Sequence, residues 1–318
     1  MKTGTVYKST GNWYVVKTEK GEYYDCRIKG KFRIQGIKST NPVAVGDVVD
    51  FSVEESENET VGVIEHIHDR KNYIVRRSVN LSKQTHILAA NVDLVFLLVT
   101  LNNPPTSTTF IDRFLVTAEA YDVPTILLLN KMDSYSKEET EEVQYLQMIY
   151  EKVGYTCYLI SALEGTSVEK LQQVMKGKTC IFSGHSGVGK STLVNAIAPD
   201  LELRTASISE QSQQGQHTTT FAQMYDLSFG ARIVDTPGIK GFGVVDMEKD
   251  ELGDYFPEFF ALKEHCKFHN CLHLEEPNCA VKSALEADEI PWSRYDSYVQ
   301  IMETIDDDNP YRKNNFDA

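Results

Sequence analysis

No stretch of this chain approaches the roughly eighteen consecutive apolar residues that mark a membrane-spanning helix. Its first residues, Met1-Lys-Thr-Gly-Thr-Val-Tyr7, also lack the apolar segment of a secretory signal peptide. These absences predict a cytoplasmic protein that does not enter a membrane. The 318 residues, 41% hydrophobic and 25% charged, are typical of a globular protein with two or three domains.

Basic residues are too few to make the chain positive, because 32 lysines and arginines face 46 aspartates and glutamates. The net charge of −14 at pH 7 argues against gross nonspecific affinity for nucleic acid. The first forty residues are the exception, with nine basic and three acidic side chains. This basic segment is suited to contact a phosphate backbone, and solvated strand faces are the alternative explanation.

Cysteine is scarce as well, and its six copies are unevenly placed. Three of them lie in strand-like patterns and are expected to be inert core residues: Cys26, Cys157 and Cys180. The other three cluster near the C-terminus, which in a reducing compartment indicates a metal site rather than disulfides. Their spacing predicts a closed, structural Zn²⁺ site with the ligands Cys266, Cys271, His273 and Cys279. Free buried thiols are the alternative, and surface roles are favoured for His265 and His269.

The first seventy residues alternate between apolar and polar positions in short runs separated by turn residues. This pattern predicts five β-strands, over 3–7, 12–16, 22–28, 47–53 and 61–67. Such a set of short strands is typical of a small closed barrel of the OB type. Aromatic side chains interleaved with basic ones suit stacking on RNA bases, although about half of these are expected to fill the barrel core: Trp13, Tyr14, Tyr23, Tyr24 and Phe32.

The segment Gly184-His-Ser-Gly-Val-Gly-Lys-Ser191 fits the phosphate-binding pattern G-x-x-x-x-G-K-[ST] without a mismatch. A buried strand is predicted before it, over 179–183, and a helix after it, from Thr192. The glycines let backbone N–H groups surround a phosphate at the positive end of that helix. Lys190 is expected to reach the outer phosphates, as a catalytic group, and Ser191 to bind Mg²⁺. The predicted phosphate-binding residues are Gly184, His185, Ser186, Gly187, Val188, Gly189, Lys190, Ser191 and Thr192.

Two earlier strands end in residues that suit recognition of guanine. The strand predicted over 125–129 leads into Asn130-Lys131-Met-Asp133, which matches the N-K-x-D pattern of GTPases. A carboxylate at Asp133 can accept hydrogen bonds from the ring N–H and the exocyclic amine of guanine, whereas adenine presents the wrong pattern there. The strand predicted over 156–160 ends at Ser161 and Ala162, whose backbone would support the guanine oxygen.

The residues expected near the γ-phosphate follow the phosphate loop. Asp235-Thr-Pro-Gly238 resembles a Walker-B-like motif, in which Asp235 holds Mg²⁺ through water and the Gly238 N–H faces the γ-phosphate. The polar run over 205–220 is expected to be mobile unless a ligand orders it. A threonine from this run is expected to complete the metal shell, and the candidates are Thr218, Thr219 and Thr220, with Thr218 and Thr219 assigned to the nucleotide and Thr219 to Mg²⁺.

The order of these motifs predicts a circularly permuted domain, because N-K-x-D and S-A precede the phosphate loop instead of following it. We predict three domains: an N-terminal OB-type β-barrel over 1–72, a central α/β P-loop GTPase domain over 73–243, and a mainly helical zinc-binding domain over 244–318. Residues 76–85 are interpreted as a linker into the second domain. The core candidates of the third domain are Phe256, Phe259, Phe260, Trp292, Tyr295 and Tyr298.

The permuted order, the phosphate loop, Gly215-Gln-His-Thr-Thr-Thr220 and the cysteine cluster resemble the ribosome small-subunit-dependent GTPase family (RsgA, also called YjeQ) over nearly the whole chain. The resemblance implies a cytoplasmic GTPase, expected to be a monomer, that binds the small ribosomal subunit and its rRNA. It implies hydrolysis of GTP to GDP and phosphate late in subunit maturation, stimulated by the subunit, with Mg²⁺ and one structural Zn²⁺. Two departures are Gln216, where a basic residue is expected, and the glutamate-rich loop over 54–59, which weakens one barrel face as an RNA surface.

The residue that activates the attacking water is not evident. Ile239 occupies the position where Ras-like GTPases carry a glutamine, and isoleucine has no donor or acceptor. His217 is the best internal candidate, and a ribosomal group is the alternative. Two other functions stay open, which are a binding module that holds nucleotide without turnover and a metabolic P-loop kinase.

Overall fold

A computed structural model describes residues 1–28, 42–55, 60–77, 85–199, 201, 222–235 and 247–305. The chain divides into two compact units, residues 1–106 with 118–245 and residues 107–117 with 246–318. Within the described ranges, no helix is both long and apolar enough to span a bilayer. The domain boundaries given above, at 72/73 and 243/244, stay predictions.

The N-terminal strands close into the expected five-stranded barrel. They pair in the circular order β1-β2-β3-β5-β4-β1, and β3 and β5 run parallel. Closure leaves no open edge, and burial alternates cleanly along β2, whereas β1 and β5 each bury adjacent residues. The strands are β1 (Lys2–Ser9), β2 (Tyr14–Thr18), β3 (Tyr23–Ile28), β4 (Val48–Glu55) and β5 (Thr60–Ile67).

The aromatic residues of the barrel divide between its core and its surface. Tyr14 is fully buried with Val6, Val16 and Phe51, whereas Tyr24 is partly buried against that core. Trp13 and Tyr23 are about half exposed, and Phe32 lies outside the described residues. The Tyr23 ring already contacts a basic side chain, because Nζ of Lys17 lies 5.1 Å from its centroid.

A pair of strands follows the barrel, and it corrects the interpretation of residues 76–85 as a linker at both ends of this segment, whose residues 78–84 lie outside the described ranges. Strand β6 (Tyr73–Arg77) pairs antiparallel with β7 (Thr85–Ala90). Val75 and Ile87 lie opposite each other and are buried together. The sequence did not indicate this pairing, because Arg76, Arg77 and Thr85 are polar. The short strands that contain them have few apolar positions by which a strand could be recognised.

The central sheet has the expected α/β architecture. Its strands lie in the order β10-β9-β8-β11-β13-β12, and all but β12 run parallel to their neighbours. Strand β8 is buried at every position, which confirms the prediction of a central strand covered on both faces. The strands are β8 (Leu94–Val99), β9 (Thr125–Leu129), β10 (Thr156–Leu159), β11 (Thr179–Ser183), β12 (Gln223–Asp226) and β13 (Arg232–Asp235).

Four helices lie between residues 108 and 197 among the described residues: α1 (Thr108–Ala120), α2 (Lys137–Lys152), α3 (Val168–Met175) and α4 (Lys190–Ile197). Helix α2 begins with a capping box, in which Ser136 and Glu139 satisfy each other's backbone N–H groups. Helices α3 and α4 bury Leu171 and Leu193 in one cluster with Phe96 of β8. This packing holds the start of α4 at the carboxyl edge of the sheet, where open α/β folds bind ligands.

The barrel and the central sheet share strand pairing. Lys8 in β1 pairs with Gln223 in β12, so that eleven strands form one hydrogen-bonded sheet. Asp226, at the end of β12, accepts a hydrogen bond of 2.8 Å from the Tyr7 hydroxyl. It also forms an ion pair with Lys17, at 2.5 Å. The strand that follows the 202–221 segment is therefore bound directly to the barrel.

The second unit is mainly helical beyond residue 246, as expected. It contains the helices α5 (Pro257–Phe260), α6 (Ala280–Glu286) and α7 (Trp292–Thr304), and 3₁₀ turns over 252–255 and 263–265. Phe256, Phe259 and Tyr298 are buried and contact one another. The expectation that Phe260 and Trp292 are core residues is wrong, because both side chains are 60% exposed. Phe260 is the last residue of the four-residue α5 and Trp292 is the first residue of the 13-residue α7, and at these helix ends neither side chain is covered.

Candidate nucleotide site and metal cluster

The segment Gly184–Ser191 forms a tight loop between β11 and α4. Its glycines have φ values of 135°, 83° and 100° at Gly184, Gly187 and Gly189, in the region that favours residues without a Cβ. A Cβ on Gly184 would lie 2.6 Å from the carbonyl oxygen of Leu98. The sequence therefore needs glycine here both for the turn and for the close approach to β8.

Lys190 extends back over this loop. Its Nζ donates to the carbonyl oxygens of Gly184 and His185, each at 2.6 Å. Helix α4 begins at Lys190, two residues before the predicted start. Ser186, Ser191 and Thr192 are exposed at the mouth of the loop, whereas Val188 is buried beneath it.

Asn130 connects the three segments expected to meet the nucleotide. Its side chain is buried at the end of β9, where Nδ2 donates to the carbonyl oxygen of Val188 at 2.7 Å. Its Oδ1 accepts from the backbone N–H of Ala162 at 2.9 Å. One amide thus joins the N-K-x-D segment to the phosphate loop and to the S-A segment, and it uses both of its ends.

Asp133 is held at the same edge by Ser161. The Ser161 hydroxyl donates to Oδ1 of Asp133 at 2.5 Å and accepts from the N–H of Glu164 at 3.1 Å. Lys131 has a left-handed backbone, with φ of 72°, and its Nζ donates to the carbonyl oxygen of Asn103. The Asp133 carboxylate therefore lies at the same polar edge of the sheet as the backbone N–H groups of residues 161 and 162.

The sequence analysis missed the residues that support this edge. The Tyr135 hydroxyl donates to the carbonyl oxygen of Asn130 and accepts from the N–H of Leu101, both at 2.9 Å. Asn102 donates to Glu139 at 2.6 Å. A signal was present, because residues 100–106 directly follow β8 and so fall at the carboxyl edge of the sheet.

Asp235 ends β13, next to the strand that leads into the phosphate loop. Burial raises the pKa of this carboxyl above its usual value. A carboxylate in such a position is stabilised by a cation, because an opposite charge offsets the lost hydration. His217, Thr218, Thr219, Thr220 and Gly238 lie outside the described residues.

The cysteine cluster of the second unit brings four ligand atoms together. Nδ1 of His273 lies 3.3 Å from Sγ of Cys279 and 3.7 Å from Sγ of Cys266, and the two sulfurs are 3.9 Å apart. With Cys271, all four ligand atoms lie within 4.8 Å of one another. A tetrahedral zinc with bonds of about 2.3 Å to sulfur and 2.0 Å to nitrogen needs ligand separations of about 3.5–3.8 Å. These four side chains could therefore hold zinc with small adjustments.

Burial disfavours the charged forms of these ligands. It raises the pKa of Cys271 to about 12, raises that of Cys279, and lowers that of His273. A bound dication reverses this for the thiols, because it stabilises thiolates directly. His265 and His269 are exposed and lie outside the set of four.

The loop that carries these ligands is held by aromatic and acidic side chains. The Tyr295 hydroxyl donates to the carbonyl oxygen of His273 at 2.8 Å, and Tyr298 donates to that of Leu272 at 2.6 Å. Glu276 accepts from two backbone N–H groups, those of Leu272 and Leu274. These contacts fix the backbone on both sides of His273, which has a positive φ of 58°.

The fold and the polar edge define a P-loop GTPase domain in which the guanine-recognition strand precedes the phosphate-loop strand. Sequence profiles agree, since the RsgA GTPase profile matches residues 67–245 and the RsgA N-terminal domain profile matches residues 3–64. The chain belongs to the RsgA GTPase family. Membership confirms the predicted GTP hydrolase class and the permuted order.

Two curated relatives are named small ribosomal subunit biogenesis GTPase RsgA. The protein of Christiangramia forsetii is 67% identical over 304 residues, covering 96% of each chain. That of Bacteroides fragilis is 53% identical over 300 residues, covering 94% of this chain and 96% of the relative.

Two solved structures resemble the whole chain. YjeQ from Thermotoga maritima is 38% identical with a TM-score of 0.77, covering 95% of this chain and 97% of that one. YloQ, described as a circularly permuted GTPase, is 32% identical with a TM-score of 0.74, covering 98% and 97%.

Proposed function

We propose that this GTPase binds the small ribosomal subunit and acts late in its maturation, hydrolysing GTP as it leaves. The observation that supports binding of a guanine nucleotide is the buried Asn130 amide, which joins the phosphate loop to the guanine-recognition segment. The subunit part rests on the names of the relatives, which are similar over nearly the entire chain. Action on the subunit implies a cytoplasmic protein.

Within this proposal, each polar group of the site has one task. Asp133 accepts the two guanine donors, and the backbone of Ser161 and Ala162, whose N–H groups donate to Thr166 and Asn130 in this structure, supports the guanine oxygen. Lys190 exchanges its loop carbonyls for the outer phosphate oxygens, which carry full charge and are stronger acceptors. Ser191 and the partly buried Asp235 are suited to hold Mg²⁺, which would offset negative charge on the outer phosphates.

The remaining nucleotide contacts are assigned to residues outside the described ranges. We assign Thr218 and Thr219 to contact with the nucleotide, Thr219 also to the Mg²⁺ shell, and the Gly238 N–H to the γ-phosphate. His217 orients the attacking water when the subunit orders its segment. This assignment is supported by Ile239, which cannot position a water.

We assign one structural Zn²⁺ to Cys266, Cys271, His273 and Cys279. Four protein ligands leave no position for substrate, so the ion stabilises the fold of the second unit rather than taking part in hydrolysis. We assign rRNA contact to the barrel, where the exposed Trp13 and Tyr23 stand among lysines and arginines. A single chain contains all of these parts, and we propose that it acts as a monomer.

Co-sedimentation with purified small subunits tests the proposal. Binding is expected with a non-hydrolysable GTP analogue and release with GDP, and GTP turnover is expected to rise when subunits are added. The Lys190→Ala variant serves as a control that lacks turnover. Nucleotide binding without turnover in either condition would indicate a binding module, and a preference for ATP would indicate a kinase. Absence of subunit binding with both nucleotides would overturn the ribosomal role.

A further inference from the structure

A second group of metal-ligand side chains lies on the outer surface of the barrel. Asp50 in β4 pairs directly with His66 in β5, and the backbone N–H of His68 continues the pairing with Val48. Residues 66 and 68 are two apart along an extended chain, so they face the same side. Strand register therefore places two imidazoles and a carboxylate together.

The three ligand atoms converge on a small volume. Oδ2 of Asp50 lies 3.1 Å from Nε2 of His68 and 3.9 Å from Nδ1 of His66. All three atoms lie within 4.8 Å of one another, and the imidazole rings are nearly perpendicular, at 84°. Ligand atoms of a tetrahedral zinc with bonds of about 2.0 Å are separated by about 3.3 Å. The observed distances bracket this value.

Two further observations favour a cation here over a simple surface ion pair. Nε2 of His68 is buried, and across the described ranges it makes no hydrogen bond although a carboxylate oxygen faces it. The Thr3 hydroxyl donates to the other oxygen of Asp50 at 2.6 Å, which turns Oδ2 toward the histidines. Such a partner for a ligating carboxylate is the usual support of a metal site.

We propose that Asp50, His66 and His68 bind a divalent transition metal of the zinc class at a site separate from the cysteine cluster. Two imidazoles with one carboxylate suit Zn²⁺ or Co²⁺, whereas Mg²⁺ and Ca²⁺ prefer all-oxygen ligands. Three protein ligands leave a fourth position for water. His66 is exposed, so this site exchanges its metal readily, whereas the buried cysteine cluster retains its own.

A Co²⁺ titration of the full chain, loaded with zinc and then washed with chelator, tests this proposal. The wild type is expected to take up one further Co²⁺, with visible absorption that lacks a thiolate charge-transfer band. Asp50→Asn retains the Thr3 hydrogen bond but removes the ligand charge, and should weaken Co²⁺ binding at least about tenfold. The double variant His66→Ala/His68→Ala should lose the additional binding entirely.

Glu65→Gln is the matched control, because it removes a carboxylate from the same strand that accepts from the Ser52 hydroxyl at 2.7 Å and lies outside the group of three ligands. Its Co²⁺ affinity should equal that of the wild type. Far-UV circular dichroism of each metal-free variant checks that the barrel is folded. Unchanged Co²⁺ uptake in the Asp50 or histidine variants would overturn the proposal, and so would a wild type that takes up none.

Discussion

Nη1 of Arg294 lies 2.6 Å from Oδ1 of Asp112, and both side chains are wholly excluded from solvent. The same guanidinium donates from Nε to Glu258 at 2.7 Å. Three segments of the second unit, α1, α5 and α7, therefore meet at one buried cation. Such an arrangement is stable only while all charges are paired, because an isolated buried charge is strongly disfavoured.

Replacing Arg294 by methionine should destabilise the second unit. The change leaves Asp112 buried without its cation, which costs about 3–5 kcal/mol. Urea unfolding followed by Trp292 fluorescence in a Trp13→Phe background reports on this unit. Gln300→Ala, on the same helix, removes two exposed hydrogen bonds, to Thr109 and Asp296, and should change stability by less than about 0.5 kcal/mol. A loss below about 1 kcal/mol in Arg294→Met would contradict the interpretation.

Guanine specificity should reside in Asp133. The Asp133→Asn variant replaces an acceptor by a donor, so it should weaken GTP and GDP binding more than tenfold and favour xanthosine nucleotides, whose base reverses that edge. Each lost hydrogen bond to a charged group is worth about 1.5–3 kcal/mol. Ser161→Ala, which removes only the hydroxyl that orients Asp133, should have a smaller effect without the change in base preference. Unchanged GTP affinity in Asp133→Asn would rule out this role.

Removal of one thiolate should unfold the second unit without loss of nucleotide binding. Structural zinc supplies on the order of 10 kcal/mol in small domains, and Cys271→Ala deletes one of its ligands. We expect loss of chelator-resistant zinc and protease sensitivity beyond about residue 245. His269→Ala changes an exposed neighbour in the same loop and should retain the ion. Chelator-resistant zinc in Cys271→Ala would contradict the ligand set.

Stability of the first unit should fall in alkaline solution through its buried thiols. Burial raises the pKa of Cys180 from 9.0 to about 12. As the pH rises, the thiol therefore loses its proton in the unfolded chain at a lower pH than in the folded chain. The contribution of this thiol to the free energy of unfolding is complete below pH 9 and is lost as the pH rises toward 12. The slope is about 1.4 kcal/mol per pH unit for one thiol. Urea unfolding at a series of pH values should show a shallower decline for Cys180→Ala, and an unaltered slope would refute the prediction.

Subunit-stimulated turnover should depend on His217. With Ile239 unable to orient water, the isolated chain is expected to hydrolyse GTP slowly. His217→Ala should abolish most of the stimulation while GTP occupancy stays matched, as measured by single-turnover assays with and without small subunits. Stimulation as strong as in the wild type would transfer the role to a ribosomal group.

The sequence by itself determined the local features of this protein. Alternating apolar residues specified the barrel strands, and continuous apolar runs specified the buried strands of the central sheet. These patterns act locally, because the period of side-chain direction is fixed by the backbone. The phosphate loop, the N-K-x-D segment and the cysteine cluster could also be recognised in the sequence, because the residues of each are close together in the chain. The remaining parts of the site, over 202–221 and 236–246, were predicted from sequence and stay predictions.

The tertiary structure alone decided which distant residues meet. The pairing of β6 with β7, the pairing of Lys8 with Gln223, and the exposure of Phe260 and Trp292 depend on packing that local periodicity does not encode. Asp112 and Arg294 are 182 residues apart, and nothing in either neighbourhood indicates the other. The group of Asp50, His66 and His68 likewise arises from strand register. Burial and register are set by the path of the whole chain, and so the supporting contacts of each site appear only when that path is known.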